Sequence, residues 1–242
     1  MSPVRRFVKE DIPQVADLHR RVSRPAEPMK GWMEFYRRYF SEIYLDNPLS
    51  DNTLTSLVYE ETPGRIVGFL GVMPRRMLFD GQPVLMAVCS NFVVDPGRRG
   101  QVGLQLLKRC LEGPQDLSIT DEAGDNLRKA WEWCGGAMAL PYSIHWIRPL
   151  QPAQVVLALL GGRKPLVSFA GALAPAARIV DALVTRLAQS PFHLSPPRGS
   201  REDLDTAMLL ACLPKFAADC AVRPDYDTRS VEWVLERAAQ PK

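Results

Sequence analysis

The stretch Asn91–Leu111, NFVVDPGRRGQVGLQLLKRCL, decides how the rest of the chain is read. An apolar run, Phe92, Val93 and Val94, stops at Asp95-Pro96 and passes through Gly97, Arg98, Arg99, Gly100, Gln101 and Gly103. Leu104, Leu106, Leu107 and Leu111 follow. The pattern predicts a strand, a tight basic loop and a helix. The first N–H groups of a helix lack intrahelical partners and carry the positive end of its dipole, so such a start is an anion site. Glycines there let a phosphate approach the backbone. Gly100 and Gly103 fit neither the spacing of a P-loop nor G-x-G-x-x-G, and no Gly-Lys-Ser/Thr follows.

Val94-Asp95-Pro96-Gly97-Arg98-Arg99-Gly100-Gln101-Val102-Gly103-Leu104 resembles another phosphate loop. This is the V-x-P, R-G-x-G-x-G/A string that holds the acetyl-CoA pyrophosphate in the GNAT acyltransferases. Aligned from the proline, Arg99 is the motif arginine and Val102 and Leu104 replace both glycines. Aligned from the helix, Arg98 leads, Gly103 is the second glycine and Gln101 replaces the first. We adopt the second register, one residue shorter, because it keeps a glycine where backbone meets phosphate. The resemblance implies acetyl-CoA, or another acyl-CoA, as co-substrate and no metal. It implies that the backbone of Phe92, Val93 and Val94 pairs with the pantetheine arm. The pyrophosphate then falls to Arg98, Arg99, Gly100, Gln101, Val102, Gly103 and Leu104.

Upstream, Val4–Val8 is a short strand candidate, and Ile12, Val15, Leu18 and Val22 have helical spacing after an acidic start. Pro25 and Pro28 break that helix. A second runs from Trp32 to Leu45 and ends at Asn47-Pro48. Its aromatics, Trp32, Phe35, Tyr36, Tyr39, Phe40 and Tyr44, either pack in the core or floor a substrate pocket. Three strands are expected at Leu54–Glu60, Gly64–Met73 and Val84–Val94, the last after the Asp80-Gly81 turn. An antiparallel meander feeding a phosphate loop is the order the resemblance implies.

Downstream, Leu117–Thr120 reads as a strand, Asp121–Asp125 as a polar loop, and Asn126–Cys134 as a helix stopped by Gly135-Gly136. The segment Asn126–Gly136 resembles the family's closing helix, N-x-x-A-x-x-L-Y-E-K-L-G-F, in register from Ala130. Met138–Ile147 is expected to supply the last strands. The fold class is therefore α/β (α+β): a mixed, mostly antiparallel central sheet flanked by helices, with a C-terminal helical extension. Residues 1–150 form the acyl-CoA-binding domain, 151–190 the extension and 191–200 a Pro-rich linker. Residues 201–242 form a helical cap or begin a second, similar unit, since Arg201-Glu202-Asp203-Leu204 is similar to Lys9-Glu10-Asp11-Ile12. In the extension, helices are expected at Val155–Leu160 and Leu166–Leu187, the latter interrupted at Pro175. Ile179, Val180, Leu183, Val184 and Leu187 share one face, with Arg178, Asp181 and Arg186 off it. That face packs on the core or lies on a membrane surface.

Composition bounds the function. The 242 residues are 46% hydrophobic and 24% charged, ordinary for a globular protein. A net charge of +3 with scattered arginines gives no nucleic-acid footprint. The five cysteines form no C-x-x-C pair, which argues against zinc or a disulfide framework and for a reducing compartment. The three histidines, His19, His145 and His193, are far apart and read as satisfied or exposed side chains. The N-terminus has no apolar core of signal-peptide length, so a cytoplasmic protein is expected. The longest apolar stretch, Pro165–Ala177, falls short of the roughly 20 residues that cross a bilayer.

Acyl transfer to an amine by direct attack needs the thioester beside the acceptor, a path for the ammonium proton and a donor for the departing thiolate. The chain departs from the family here. Ser90 and Asn91 stand where many members carry carboxylates, and Trp131 stands where a tyrosine often protonates the thiolate. Asp121, Glu122 and Tyr142 are the substitutes nearest by chain order. Three readings follow: an acyl-CoA-dependent N-acyltransferase, most simply an acetyltransferase acting on a small-molecule or peptide amine; a GNAT-fold module that binds acyl-CoA without turnover; and a Fem-type aminoacyl transferase. The weak positive charge and the lack of a basic helical arm argue against the last. All are compatible with a homo-oligomer.

Overall fold

The computed structural model describes residues 2–23, 31–50, 52–121, 123–143, 147, 149–161, 167–187, 189–193, 199 and 203–239. The chain divides into two compact units, Met1–Met138 with Leu204–Lys242, and Ala139–Asp203.

The first unit is built on a sheet of β1 (Val4–Arg6), β2 (Leu57–Thr62), β3 (Arg65–Phe79), β4 (Gln82–Val94) and β5 (Leu117–Ile119), in that order. A sixth strand, β6 (Val222–Pro224), pairs with β3. All pairings are antiparallel except β4 with β5, which is parallel. The β3–β4 hairpin turns at Asp80-Gly81, both with positive φ, as a two-residue turn matched to strand twist requires.

Strand alternation sends successive side chains to opposite faces, and helices cover each. On one face α1 (Ile12–Ser23) and α2 (Trp32–Phe40) bury Ile12, Val15, Leu18, Tyr36 and Phe40 against Phe7, Phe69 and Val93. On the other, α3 (Gln101–Leu111) packs Val102, Leu106 and Cys110 onto Val67, Leu70, Val72, Ala87 and Cys89. A Cβ on Gly68 would stand 2.8 Å from Val102 Cγ1 and 2.9 Å from Leu106 Cδ1, so the missing side chain is what lets α3 sit this close. The unit is completed by α4 (Asp125–Trp133), α7 (Thr206–Phe216) and α8 (Thr228–Ala239).

The second unit holds α5 (Pro152–Gly161) and α6 (Val167–Arg186). Asp181 is 4% exposed because its carboxylate accepts the first free N–H groups of α5, from Ala153 at 2.7 Å and Gln154 at 3.2 Å. The inner side of α6 is thus Ala177 and Asp181, while Ile179, Val180, Leu183 and Leu187 are exposed. Asp181 stands off the apolar face, as the spacing predicts, and is buried because it caps a neighbouring helix.

Three expectations change. Among the described residues no strand forms between Met138 and Ile147; a 3-10 turn, Leu140–Tyr142, occurs there, and Pro141 within it has no N–H for a ladder. Residues 144–146 of that stretch lie outside the described ones. The α6 helix continues through Pro175, which removes only one backbone donor. β6 was not expected: β2 runs beside β3 only as far as Leu70, and Val222–Pro224 takes the edge further on, at Met77–Phe79.

Candidate active site

The site is built around a defect in β4. Gly71 pairs with Ser90 and Phe69 with Val93, so Asn91 and Phe92 together oppose Leu70. Such a bulge bends the strand and re-aims side chains. Asn91 takes φ 49°, a backbone region in which asparagine is the best tolerated of the non-glycine residues, along with aspartate and histidine. Its side chain is thereby added to the face that carries Ser90 and Val93, beneath α1 and α2.

The other edge of β4 opens at the same place. β5 pairs with Met86, Ala87 and Val88 only, so among the described residues Cys89–Val94 has no strand on that side. Phe92, Val93 and Val94 therefore present main-chain groups along an open edge. That edge leads directly into the loop before α3.

Three side chains meet at Asn91, and two more are bonded to those. Its amide nitrogen donates to the Tyr39 hydroxyl at 2.7 Å and the Tyr44 hydroxyl at 2.5 Å. Its carbonyl oxygen lies 3.1 Å from His19 Nε2, and His19 Nδ1 lies 2.9 Å from the Tyr36 hydroxyl. An amide oxygen only accepts, so His19 Nε2 donates to it. Tyr44 also shares a 2.9 Å hydrogen bond with Ser90 Oγ. Burial, first, and the neighbouring Tyr39 push the Tyr44 phenol well above its usual range, so it stays protonated.

The helix that delivers the tyrosines explains why two of them reach one atom. Past Phe40, α2 widens into a π turn, Ser41–Leu45, closed by Asp46 N–H to Ser41 O at 2.7 Å. Bonds of this i→i+5 type bring residues five apart onto one side, as Tyr39 and Tyr44 are. The Tyr44 ring then lies against Gly71.

At the loop, Asp95 Oδ1 accepts Gly97 N–H at 3.1 Å and Arg21 approaches Oδ2 at 3.4 Å. The backbone donor, then the arginine, holds the Asp95 carboxyl below its usual range. Arg98 is tied to Glu61 at 2.5 Å, whereas Arg99 is exposed and pairs with no carboxylate among the described residues. Gly100 precedes α3 with φ 93°, and the first bond back to it is from Leu104 N–H at 2.9 Å. The N–H groups of Gln101, Val102 and Gly103 thus have no intrahelical acceptor. Val102 is buried under Gly68 and directs its side chain away from these donors. Leu104 begins the second half of that turn.

Asp121 is exposed beyond β5, Glu122 lies outside the described residues, and Tyr142 is in the second unit, in the 3-10 turn. The polar cluster at Asn91 was missed. In sequence Ser90 and Asn91 read only as missing bases, and His19 carries no local signal that it meets a residue 72 positions later. Among the described residues no three side chains are placed to hold a metal ion.

No family model and no curated protein matches the chain. Among solved structures it is similar to a putative acetyltransferase from Agrobacterium tumefaciens str. C58, at 19% identity and TM-score 0.46, over 60% of this chain and 99% of that one. It is similar to the glucosamine-6-phosphate N-acetyltransferase of Arabidopsis thaliana, at 20% identity and TM-score 0.45, over 60% and 96%. A third likeness is a predicted acetyltransferase with acetyl-CoA from Clostridium acetobutylicum, at 18% identity and TM-score 0.44, over 60% and 94%. The sheet is mixed and mostly antiparallel and is flanked by helices, as the resemblance to the GNAT fold implies.

Proposed function

We propose that the protein is an acyl-CoA-dependent N-acyltransferase, in the simplest case one that moves an acetyl group from acetyl-CoA to a primary amine by direct attack. The observation that carries this reading is the continuity of the open β4 edge beyond Val88 with the three free N–H groups that begin α3. An extended amide-bearing arm suits the edge, as an added strand would. Two phosphates suit the helix start, with Arg99, unpaired among the described residues, beside it. In this reading Phe92, Val93 and Val94 hold the pantetheine, and Arg98 to Leu104 hold the pyrophosphate.

The amine lone pair attacks the thioester carbon, the C–S bond breaks, the amine loses a proton and the thiolate gains one. A thioester is already activated, and positioning supplies roughly 7 to 11 kcal/mol of such a barrier. The chain's own contribution to proton handling is the hydroxyl group set of Tyr39, Tyr44 and Ser90, held by Asn91 and His19. A thiol near pKa 8.5 is more acidic than a phenol near 10, so these hydroxyls stabilise developing charge by hydrogen bonding more than by complete transfer. The five free cysteines suit a reducing, cytoplasmic setting. Among the described residues no helix is long and apolar enough to cross a membrane.

A second reading, acyl-CoA binding without turnover, is favoured by the want of a carboxylate at Ser90 and Asn91. Calorimetric titration with acetyl-CoA tests the shared part. The Gly103→Glu protein is the control, since a Cβ at Gly103 meets Phe92 and Val94 only at 3.5 and 3.8 Å. Micromolar binding by the wild type, lost in the variant, is expected. Release of free thiol in the presence of amines then separates transferase from binding module. A folded wild type that binds no acetyl-CoA would overturn both.

A further inference from the structure

On the cluster's own face of the sheet lies a guanidinium with no carboxylate partner among the described residues. Arg75 pairs with Met86 across β3 and β4, two residues beyond Met73 and four beyond Gly71. Side chains two apart share a face, so Arg75 projects on the side of Gly71 and Ser90, where Tyr44 and Asn91 meet. The Arg75 side chain is largely buried, and Nη1 is fully buried with no hydrogen-bond partner. Its surroundings include Met77 and Met86, each 8% exposed, and the Tyr226 phenol. No carboxylate among the described residues pairs with it. The next residue, Arg76, points to the opposite face and is paired with Asp227. A charge left alone in a low-dielectric setting is far costlier than one that is paired, and an arginine fork is shaped for planar or tetrahedral oxyanions.

We propose that Arg75 binds an anionic group, carboxylate or phosphate monoester, on the acyl acceptor, so that the acceptor is an amine with an anion at its far end. This deepens the transferase reading and rests on it. Four residues of strand span roughly 13 Å between Gly71 and Arg75 at the backbone. An acceptor lying along this face puts its amine at the Asn91 cluster and its anion at the guanidinium. Burial also lowers the affinity of the guanidinium for its proton, and an arriving oxyanion relieves that cost.

The test is calorimetric titration with 6-aminohexanoate, 6-aminohexyl phosphate and hexylamine against four proteins: wild type, Arg75→Met, Arg75→Lys and Gly103→Glu. The anionic amines should bind wild type at least tenfold more tightly than hexylamine. They should bind Gly103→Glu equally well, because the loop at α3 is not the site. Arg75→Met should lose the preference, Arg75→Lys should keep most of it, and the tighter of the two anions names the acceptor class. Arg75→Met should also melt no lower than wild type, since a methionine replaces an unpaired charge among methionines; a structural arginine would give a lower melting temperature. Equal binding by wild type and Arg75→Met, or no anion preference in the wild type, overturns the proposal. Acetyl-CoA titrated into the same proteins keeps the two readings apart. Arg75-dependent anion binding without acetyl-CoA binding removes the transferase and leaves the anion site, and the reverse result removes only the site.

Discussion

Gly71 carries no side chain where the ring of Tyr44 lies: a Cβ there would stand 2.6 Å from Cε1 and Cζ and 2.7 Å from the hydroxyl oxygen. The ring therefore rests on bare backbone, and from there its hydroxyl reaches both Ser90 and Asn91. Gly71→Ala should force Tyr44 outward at a cost of about 1 to 3 kcal/mol, as overpacking does. Urea denaturation measures the loss, and acyl transfer should fall with it. A variant as stable as wild type would show that Tyr44 does not lie on Gly71.

Asn91 supports two tyrosines and a histidine at once. Asn91→Gly keeps the bulge, because glycine accepts φ 49° without strain, yet it removes every amide hydrogen bond. The buried hydroxyls it abandons should cost about 1 to 3 kcal/mol. Asn91→Ala should cost more, since it adds backbone strain to the same loss. Equilibrium unfolding of the two variants side by side separates the amide from the bulge.

Asp227 caps α8, accepting Ser230 N–H at 2.8 Å, and is paired with Arg76. Arg76, then the Ser230 backbone and hydroxyl, holds its carboxyl below the usual range. The unfolded chain therefore takes up this proton first as pH falls, so the contribution is complete above about pH 4 and fades as pH drops through the lowered folded value. Both side chains are about half exposed, at 54% and 51%, so solvent screens the ion pair and the cap dominates at about 1 kcal/mol. Asp227→Ala removes the capping oxygen together with the ion pair. The stability gap between wild type and this variant should shrink between pH 6 and pH 2, as thermal unfolding in matched buffers would record.

Cys89 and Cys110 face each other across β4 and α3 with sulfurs 3.7 Å apart, both buried. The hydrogen bond to Cys110, and burial, push the Cys89 thiol up. A thiol reagent should therefore modify exposed Cys220 rapidly and leave Cys89 and Cys110 untouched until the protein unfolds. Mass spectrometry of timed alkylation reads the order directly.

The strands, the Asp80-Gly81 turn and α3 were legible because each is set by local pattern over several residues. The start of α3 was legible for the same reason, since glycines and arginines stand next to one another in sequence. The polar cluster was not. His19, Tyr44 and Asn91 belong to separate elements, and the register slip at Phe69/Gly71 that joins them leaves no mark on the alternation of apolar residues. The π turn is equally silent, for apolar residues at Tyr39, Ile43 and Tyr44 suit an ordinary helix. β6 has three residues, too few for a period, and it forms because β3 outruns β2. The burial of Asp181 was not legible because spacing reads a carboxylate as outward, whereas here it satisfies a neighbouring helix.

The strand that completes β3 has a bearing on the order of events during synthesis. Met77–Phe79 leave the ribosome long before Val222–Pro224, and residues 139–203 must be made in between. Throughout that interval the far end of β3 shows bare N–H and C=O groups on one edge, the kind of surface on which chains aggregate. Arg75, Arg76 and Asp80 stand along this same end, and charge is a known guard of unpaired edges. The late pairing therefore makes the interval before residue 224 emerges the period in which this protein most depends on its own charges, or on a chaperone, to avoid aggregating.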